Sequence, residues 1–157
     1  MQIVKPSDLE PEAPTEESGR QTCPIENVHL MATNDHFIQR DGIKFAGTHL
    51  LLDLWDAKYL DNIERVESAI RECVDACGAT LLHIHLHHFS PSGGISGVAI
   101  LAESHISVHT WPERDYAAFD VFMCGDAQPE NSIAVLKRAF FPQRMKVYEE
   151  LRGRTEQ

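Results

Sequence analysis

The stretch that most constrains this chain is ISGVAILAESHISVHTW, residues 95–111, a β-rich apolar run with Glu103, Ser104 and His105 set in its middle. A run this rich in Ile, Val and Thr suits a pleated sheet, and Pro112 closes it because proline has no N–H for a strand ladder. Other segments read the same way. THLLLDLW after Gly47, TLLHIHLHHF at 80–89, Tyr116 to Met123 and RMKVYEEL at 144–151 are short strand patterns bounded by polar or turn residues, and SPSGG at 90–94 is a reversing loop. Two segments differ. Leu60, Ile63, Val66, Ile70, Cys73 and Cys77 recur at steps of three and four opposite Asn62, Glu64, Arg65, Arg71 and Glu72, and Gly78 stands where a helix ends. A second helix starts at Pro129, with Ile133, Leu136, Ala139 and Phe140 on its apolar side. The order strand, helix, three or four strands, helix, strand predicts an α+β two-layer sandwich, an antiparallel β-sheet covered on one face by two helices.

The chain of 157 residues is the size of one domain, residues 45–157, preceded by an arm. Residues 1–44 form that flexible acidic and proline-containing arm: Pro6, Pro11 and Pro14 alternate with Asp8, Glu10, Glu12, Glu16 and Glu17, too little apolar content to offset ordering entropy. Between Cys23 and Lys44 a few apolar residues, Ile25, Val28, Leu30, Phe37 and Ile38, suit an irregular segment packed on the domain. Lys plus Arg number 14 against 24 Asp plus Glu, a formal net charge of -10, which argues against nucleic acid or an anionic membrane as partner. The absence of a long apolar run, an amino terminus unlike a signal peptide and only four scattered cysteines point to a cytoplasmic protein.

Three features offer chemistry. His83, His85 and His87 share one face of a strand and are of zinc-ligating type, but neighbours in such a row stand about 6.6 Å apart and cannot all reach one ion. A polar face of a strand is the stronger reading, and a histidine-strand metal-binding protein the remote one; no metal is expected. Ser104 with His109 suggests a nucleophile and base, yet Ala-Glu-Ser-His lacks the Gly-x-Ser-x-Gly elbow and no helix follows it. Cys124 remains. Cys73 and Cys77 are four apart, a helical spacing that suits two small residues on a buried face rather than a Cys-x-x-Cys pair.

Taken as a single string, GISGVAILAESHISVHTWPERDYAAFDVFMCG at 94–125 closely resembles the small bacterial and archaeal S-adenosylmethionine decarboxylase proenzymes, a pyruvoyl-dependent family. The resemblance extends through Gly47-Thr-His-Leu, Gly78-Ala-Thr, Phe89 and Arg152-Gly153, roughly residues 46–154. It implies that Ser104 attacks the Glu103 carbonyl, that the resulting ester is eliminated, and that the chain parts into 1–103 and 104–157 with a pyruvoyl group at position 104. By the same resemblance His109 is the processing base, Ser96 assists near the scissile bond, and Cys124 donates the proton after decarboxylation.

The pyruvoyl group derived from Ser104 is then the implied cofactor, with no pyridoxal phosphate and no metal. Substrate amine and ketone form a Schiff base through which S-adenosylmethionine loses carbon dioxide, giving the aminopropyl donor for spermidine. Phe89 stacks on adenine and Glu113 binds ribose hydroxyls in what the resemblance implies, while Trp111 is a packing residue and Arg114 and Asp115 are surface. The implied assembly is a dimer of cleaved protomers with sites drawn from both partners. The alternative keeps the chemistry and changes the substrate to L-ornithine or L-arginine, since Ser104, His109 and Cys124 act on the α-carbon common to all three.

Overall fold

The computed structural model describes residues 36–155, so most of the predicted arm lies outside the described residues. Its last part is regular. Strands β1 (Ile38–Arg40) and β2 (Ile43–Phe45) pair antiparallel across Asp41 and Gly42, both at positive φ (51° and 80°), in place of the irregular segment expected up to Lys44. Asp-Gly is the pair that a two-residue hairpin turn favours, so the signal was present in the sequence.

The remaining strands form one six-stranded antiparallel sheet. In chain order these are β3 (Gly47–Trp55), β4 (Leu81–His88), β5 (Ile95–Leu101), β6 (Ser104–Trp111), β7 (Tyr116–Met123) and β8 (Arg144–Arg152), arranged across the sheet as β4-β5-β6-β7-β3-β8. The long run at 95–111 is a hairpin: β5 and β6 meet through Ala102 and Glu103, with Leu101 opposite Ser104. The chain order therefore has four strands between the two helices, the upper of the two counts left open by the pattern.

Helix α1 (Ile63–Cys77) begins at Asn62, whose Oδ1 accepts the Arg65 N–H at 2.7 Å, and ends at Gly78 in the left-handed region, φ 70°. Leu60 falls before the helix but is still buried, so its apolar character fits the stripe without its being helical. Pro129 opens a short 3-10 turn, Pro129–Asn131, which leads into helix α2 (Ser132–Phe140). Both helices cover one face of the sheet. Val66, Ile70 and Val74 of α1 and Leu136 and Phe140 of α2 join one buried core with Leu52 and Leu54 of β3, Ile106 and Val108 of β6 and Phe119 of β7. Fully burying each such side chain is worth roughly 1.5–3 kcal/mol.

Cys73 and Cys77 lie in this core, as their helical spacing predicts, and donate weakly to the Ser132 and Pro129 carbonyls. Burial pushes the Cys73 thiol far up and the Cys77 thiol up to about 11, so both stay protonated and inert.

Among the described residues no helix lies on the opposite face of the sheet. The register puts His83, Ile100, His105, Phe122 and His49 in one row across five strands, and His87, Ser96, His109, Ala118 and Asp53 in another. Leu51, Ile100, Trp111 and Tyr148 stand exposed here. Trp111 packs on Tyr116 with ring centroids 5.3 Å apart, but with no described helix over its face it stays 40% exposed, less enclosed than a packing role implies.

Candidate active site

The predicted site residues fall into two groups at opposite ends of β6. At its amino-terminal end Ser104 stands opposite Met123 of β7, which brings the residue after it, Cys124, against the turn. The Cys124 main-chain N–H donates to the Glu103 carbonyl oxygen at 3.1 Å. That carbonyl is the one before Ser104, and a donor aimed at it polarises it toward a nucleophile. Ser104 has φ 150°, a conformation that costs an L residue about 1–3 kcal/mol and is held by the strands on either side.

The Glu103 carboxylate is gripped from a neighbouring strand end. It accepts the Thr80 main-chain N–H at 2.8 Å and the Thr80 hydroxyl at 3.2 Å, while the Thr80 carbonyl accepts the Ala102 N–H at 3.0 Å. The two-residue turn is therefore tied on both flanks. Beside it lies a cleft of about 390 Å³ lined by His36, Gly78, Ala102, Glu103, Cys124 and Asp126. A larger hollow of about 490 Å³ opens between the helices at Arg65, Glu72 and Arg138, but none of the chemically reactive residues borders it.

Ser104 Oγ lies 3.2 Å from His105 Nδ1. His105 packs edge-on against His49 and Phe122, at ring-centroid distances of 6.4 and 5.9 Å. Neither His105 nor Thr80 receives a role from the sequence. His105 carried a signal in its adjacency to Ser104, whereas Thr80 meets Glu103 only through the fold.

His109 and Ser96 lie elsewhere. They face each other across β5 and β6, with Ser96 Oγ 2.8 Å from His109 Nδ1. His109 stands five steps along β6 from Ser104, about 16 Å at the usual rise, so one protomer does not bring the predicted base to the predicted nucleophile. Phe89 and Glu113 belong to the His109 end. Phe89 follows β4, half exposed, with its ring 4.5 Å from that of His87 and its N–H bonded to the Gly94 carbonyl, and Glu113 sits exposed in the 3-10 turn Pro112–Arg114 after β6. Arg114 and Asp115 are exposed as well. The row of His83, His85 and His87 is open to solvent, and among the described residues no group of three or more His, Cys, Asp or Glu is arranged to hold a metal ion.

Known proteins resemble this chain in sequence and in fold. Residues 48–153 match the family described as S-adenosylmethionine decarboxylase. The chain is 47% identical over 112 residues to the S-adenosylmethionine decarboxylase proenzyme of Thermomicrobium roseum, covering 71% of this chain and 97% of that protein. It is 45% identical over 114 residues to the proenzyme of the same name from Methanococcus aeolicus, with coverage of 71% and 97%. The crystal structure of the adenosylmethionine decarboxylase from Aquifex aeolicus VF5 matches with a TM-score of 0.66 at 32% identity, over 71% of this chain and 94% of that one. Fold and similarity together define a decarboxylase, a lyase. This chain belongs to the S-adenosylmethionine decarboxylase family.

Proposed function

We propose that the chain is made as a proenzyme, cuts itself between Glu103 and Ser104, and as the cleaved enzyme decarboxylates S-adenosylmethionine to supply an aminopropyl donor for spermidine synthesis. The observation that carries this reading is the Cys124 N–H on the Glu103 carbonyl, at a junction where Ser104 is already displaced from ordinary strand geometry. Ser104 Oγ adds to the Glu103 carbonyl carbon, the Cys124 N–H stabilises the oxyanion, and the C–N bond gives way to an ester with release of the Ser104 amine. Loss of the Ser104 α-proton then breaks the Cβ–O bond and frees Glu103 as a new carboxyl terminus. Water replaces the nitrogen at position 104, ammonia leaves, and a pyruvoyl group remains.

The residues present fit that group, because Ser104, the Glu103 carbonyl and Cys124 meet beside a cleft of substrate size. Its ketone supplies the electrophile for a substrate amine and the sink for the electrons left by carbon dioxide. Cys124, only partly buried, holds the proton that the substrate α-carbon then takes. Glu103 and Asp126 at the cleft suit a cationic sulfonium.

The separation of His109 from Ser104 favours a two-fold dimer in which the open sheet faces meet. Such an interface sets residue i of one copy against j of the other and j against i, so two half-sites on one face complete each other twice. In that arrangement the partner copy supplies His109 for the elimination, its Nδ1 held by Ser96 and its Nε2 left to carry the proton, together with Phe89 for adenine and Glu113 for ribose. The exposed apolar side chains of that face, Leu51, Ile100 and Tyr148, support it as a contact surface. The three cysteines of the described residues are free thiols, which supports a reducing, cytoplasmic setting, and no described helix is long and apolar enough to cross a membrane.

Intact mass of the purified full-length chain, with and without Ser104→Ala, tests the reading. The expected wild-type result is two fragments, 1–103 and 104–157, the second with a blocked amino terminus, and a single uncut chain for Ser104→Ala. A wild-type chain that stays whole overturns it. Carbon dioxide release from S-adenosylmethionine by the cleaved protein checks the substrate.

A further inference from the structure

Two proton transfers are needed to cut the chain, at two atoms: the Ser104 hydroxyl first and the Ser104 α-carbon second. The imidazole within reach of the hydroxyl is His105, 3.2 Å away through Nδ1. Consecutive residues of a strand point to opposite faces and do not normally meet. Here φ of 150° at Ser104 is the departure from strand geometry that accompanies the contact. The other imidazole of β6, His109, is bonded through Nδ1 to Ser96 and stands about 16 Å away at the strand rise.

The His105 ring is fixed from several sides. His49 and Phe122 pack against it edge-on, and behind His49 lie Asp120, 3.7 Å from its Nε2, and Arg152, 3.3 Å from its Nδ1. A general base must lie within hydrogen-bond reach of the proton it takes and have a proton affinity near the working pH, and imidazole is the side chain that meets the second condition.

We propose that His105 is a catalytic residue of the first step of self-cleavage. Nδ1 takes the Oγ proton as Oγ bonds to the Glu103 carbonyl carbon, and the Cys124 N–H holds the oxyanion. When the C–N bond breaks, the imidazolium returns the same proton to the departing Ser104 nitrogen, so the shift from amide to ester consumes and releases nothing. The elimination that follows uses a different base at a different atom. This inference rests on the self-cleavage reading above and divides its proton transfers between two histidines.

The test is a cleavage time course followed by intact mass on the full-length wild-type chain, His105→Ala and His105→Gln. Both variants are expected to cut at least about 100-fold more slowly, the lower end of what a positioned base contributes. Their uncut chains should resist hydroxylamine, which cleaves esters far faster than amides. Imidazole added to the buffer should restore cutting in His105→Ala, where removal of the ring leaves room for it, and a merely structural role for His105 would not respond. Cutting at the wild-type rate, a hydroxylamine-sensitive ester building up in His105→Ala, or slow cutting without imidazole rescue each overturns the inference. A wild-type chain that never cuts removes the self-cleavage reading as well, and so is told apart from failure of His105 alone.

Discussion

At one end of β6 the chain makes a two-residue turn that Thr80 ties down on both flanks, with a main-chain donor on the Glu103 carbonyl and a strained serine beside it. At the other end the strand runs out into solvent, carrying a hydroxyl–imidazole pair, Ser96 and His109, with Trp111, Phe89 and Glu113 nearby. In the proposed function the first end supplies the electrophile, the nucleophile and the oxyanion donor. The second supplies a proton carrier and flat apolar rings. About 16 Å of extended chain keeps them apart, a distance no side chain spans. The difference teaches that reactive residues close in sequence need not form one site within one protomer, which is why the proposed function has two copies complete each other across the open sheet face.

The largest expected effect comes from breaking one end in each of two chains. Ser104→Ala alone leaves no nucleophile, and His109→Ala alone is expected to slow cutting by about 10²–10⁴-fold, the usual contribution of a proton-transfer group. Co-expressed with different tags, the two should complement: in a mixed dimer the intact Ser104 of one chain faces the intact His109 of the other. With random two-fold pairing about half of the His109→Ala chains are then cut, and none of the Ser104→Ala chains. If co-expression restores nothing while both variants still dimerise, the division of the site between protomers is wrong.

A second experiment separates the two tasks assigned to Cys124. Its N–H survives substitution, whereas its thiol does not. Cys124→Ala should therefore still cut, within a few-fold of the wild-type rate, yet release carbon dioxide about 10²–10⁴-fold more slowly once cut. Equal losses in cutting and in turnover would mean that the thiol serves the Ser104 end in both reactions.

Most of the fold was legible from period alone, since the strands alternate and α1 repeats at three and four. The covered face could be read because Leu50, Leu52 and Leu54 alternate with Leu51 and Asp53 along β3. The hairpin inside residues 95–111 was hidden because its turn, Ala102-Glu103, lacks the Asn-Gly or Asp-Gly chemistry that marks such turns. The Asp41–Gly42 turn did carry that mark, in a segment whose neighbours have too little apolar periodicity to draw attention to it. Ser104, Glu103 and Cys124 were legible as a resemblance and meet in the structure. His109 was legible as a residue but not as a place, because distance along a strand is invisible to a motif. The grip of Thr80 on Glu103 joins residues 23 apart and exists only after β4 and the turn are in place.

A smaller effect is expected from the framework beneath the His109 end. Gly97 lies opposite Leu86, and a Cβ there would collide with the His85 carbonyl and the Leu86 side chain. Because backbone cannot swing aside as a side-chain tip can, Gly97→Ala should cost about 1–3 kcal/mol, the usual penalty of overpacking. Thermal melting of the full chain reads this as a fall of about 2–12 °C. An unchanged melting temperature would show that β4 shifts freely, and with it the support of Ser96.

The smallest effect belongs to the Ser104 end and is read by acid. His49 stands in the same row as His105, its side chain 15% exposed and its Nε2 buried without a hydrogen-bond partner among the described residues. Burial is the largest influence on it and lowers its pKa; Arg152 and His105 push the same way, and Asp120 opposes them. The unfolded chain, with histidine near 6.5, binds a proton at a higher pH than the folded one. Stability is therefore full above about pH 6.5 and is lost as pH falls below it toward the folded value. His49→Gln should remove that loss, so that the melting temperature falls less between pH 7.5 and 5.5 than in the wild type. An identical decline in the His49→Gln chain would mean that acid acts elsewhere on the fold.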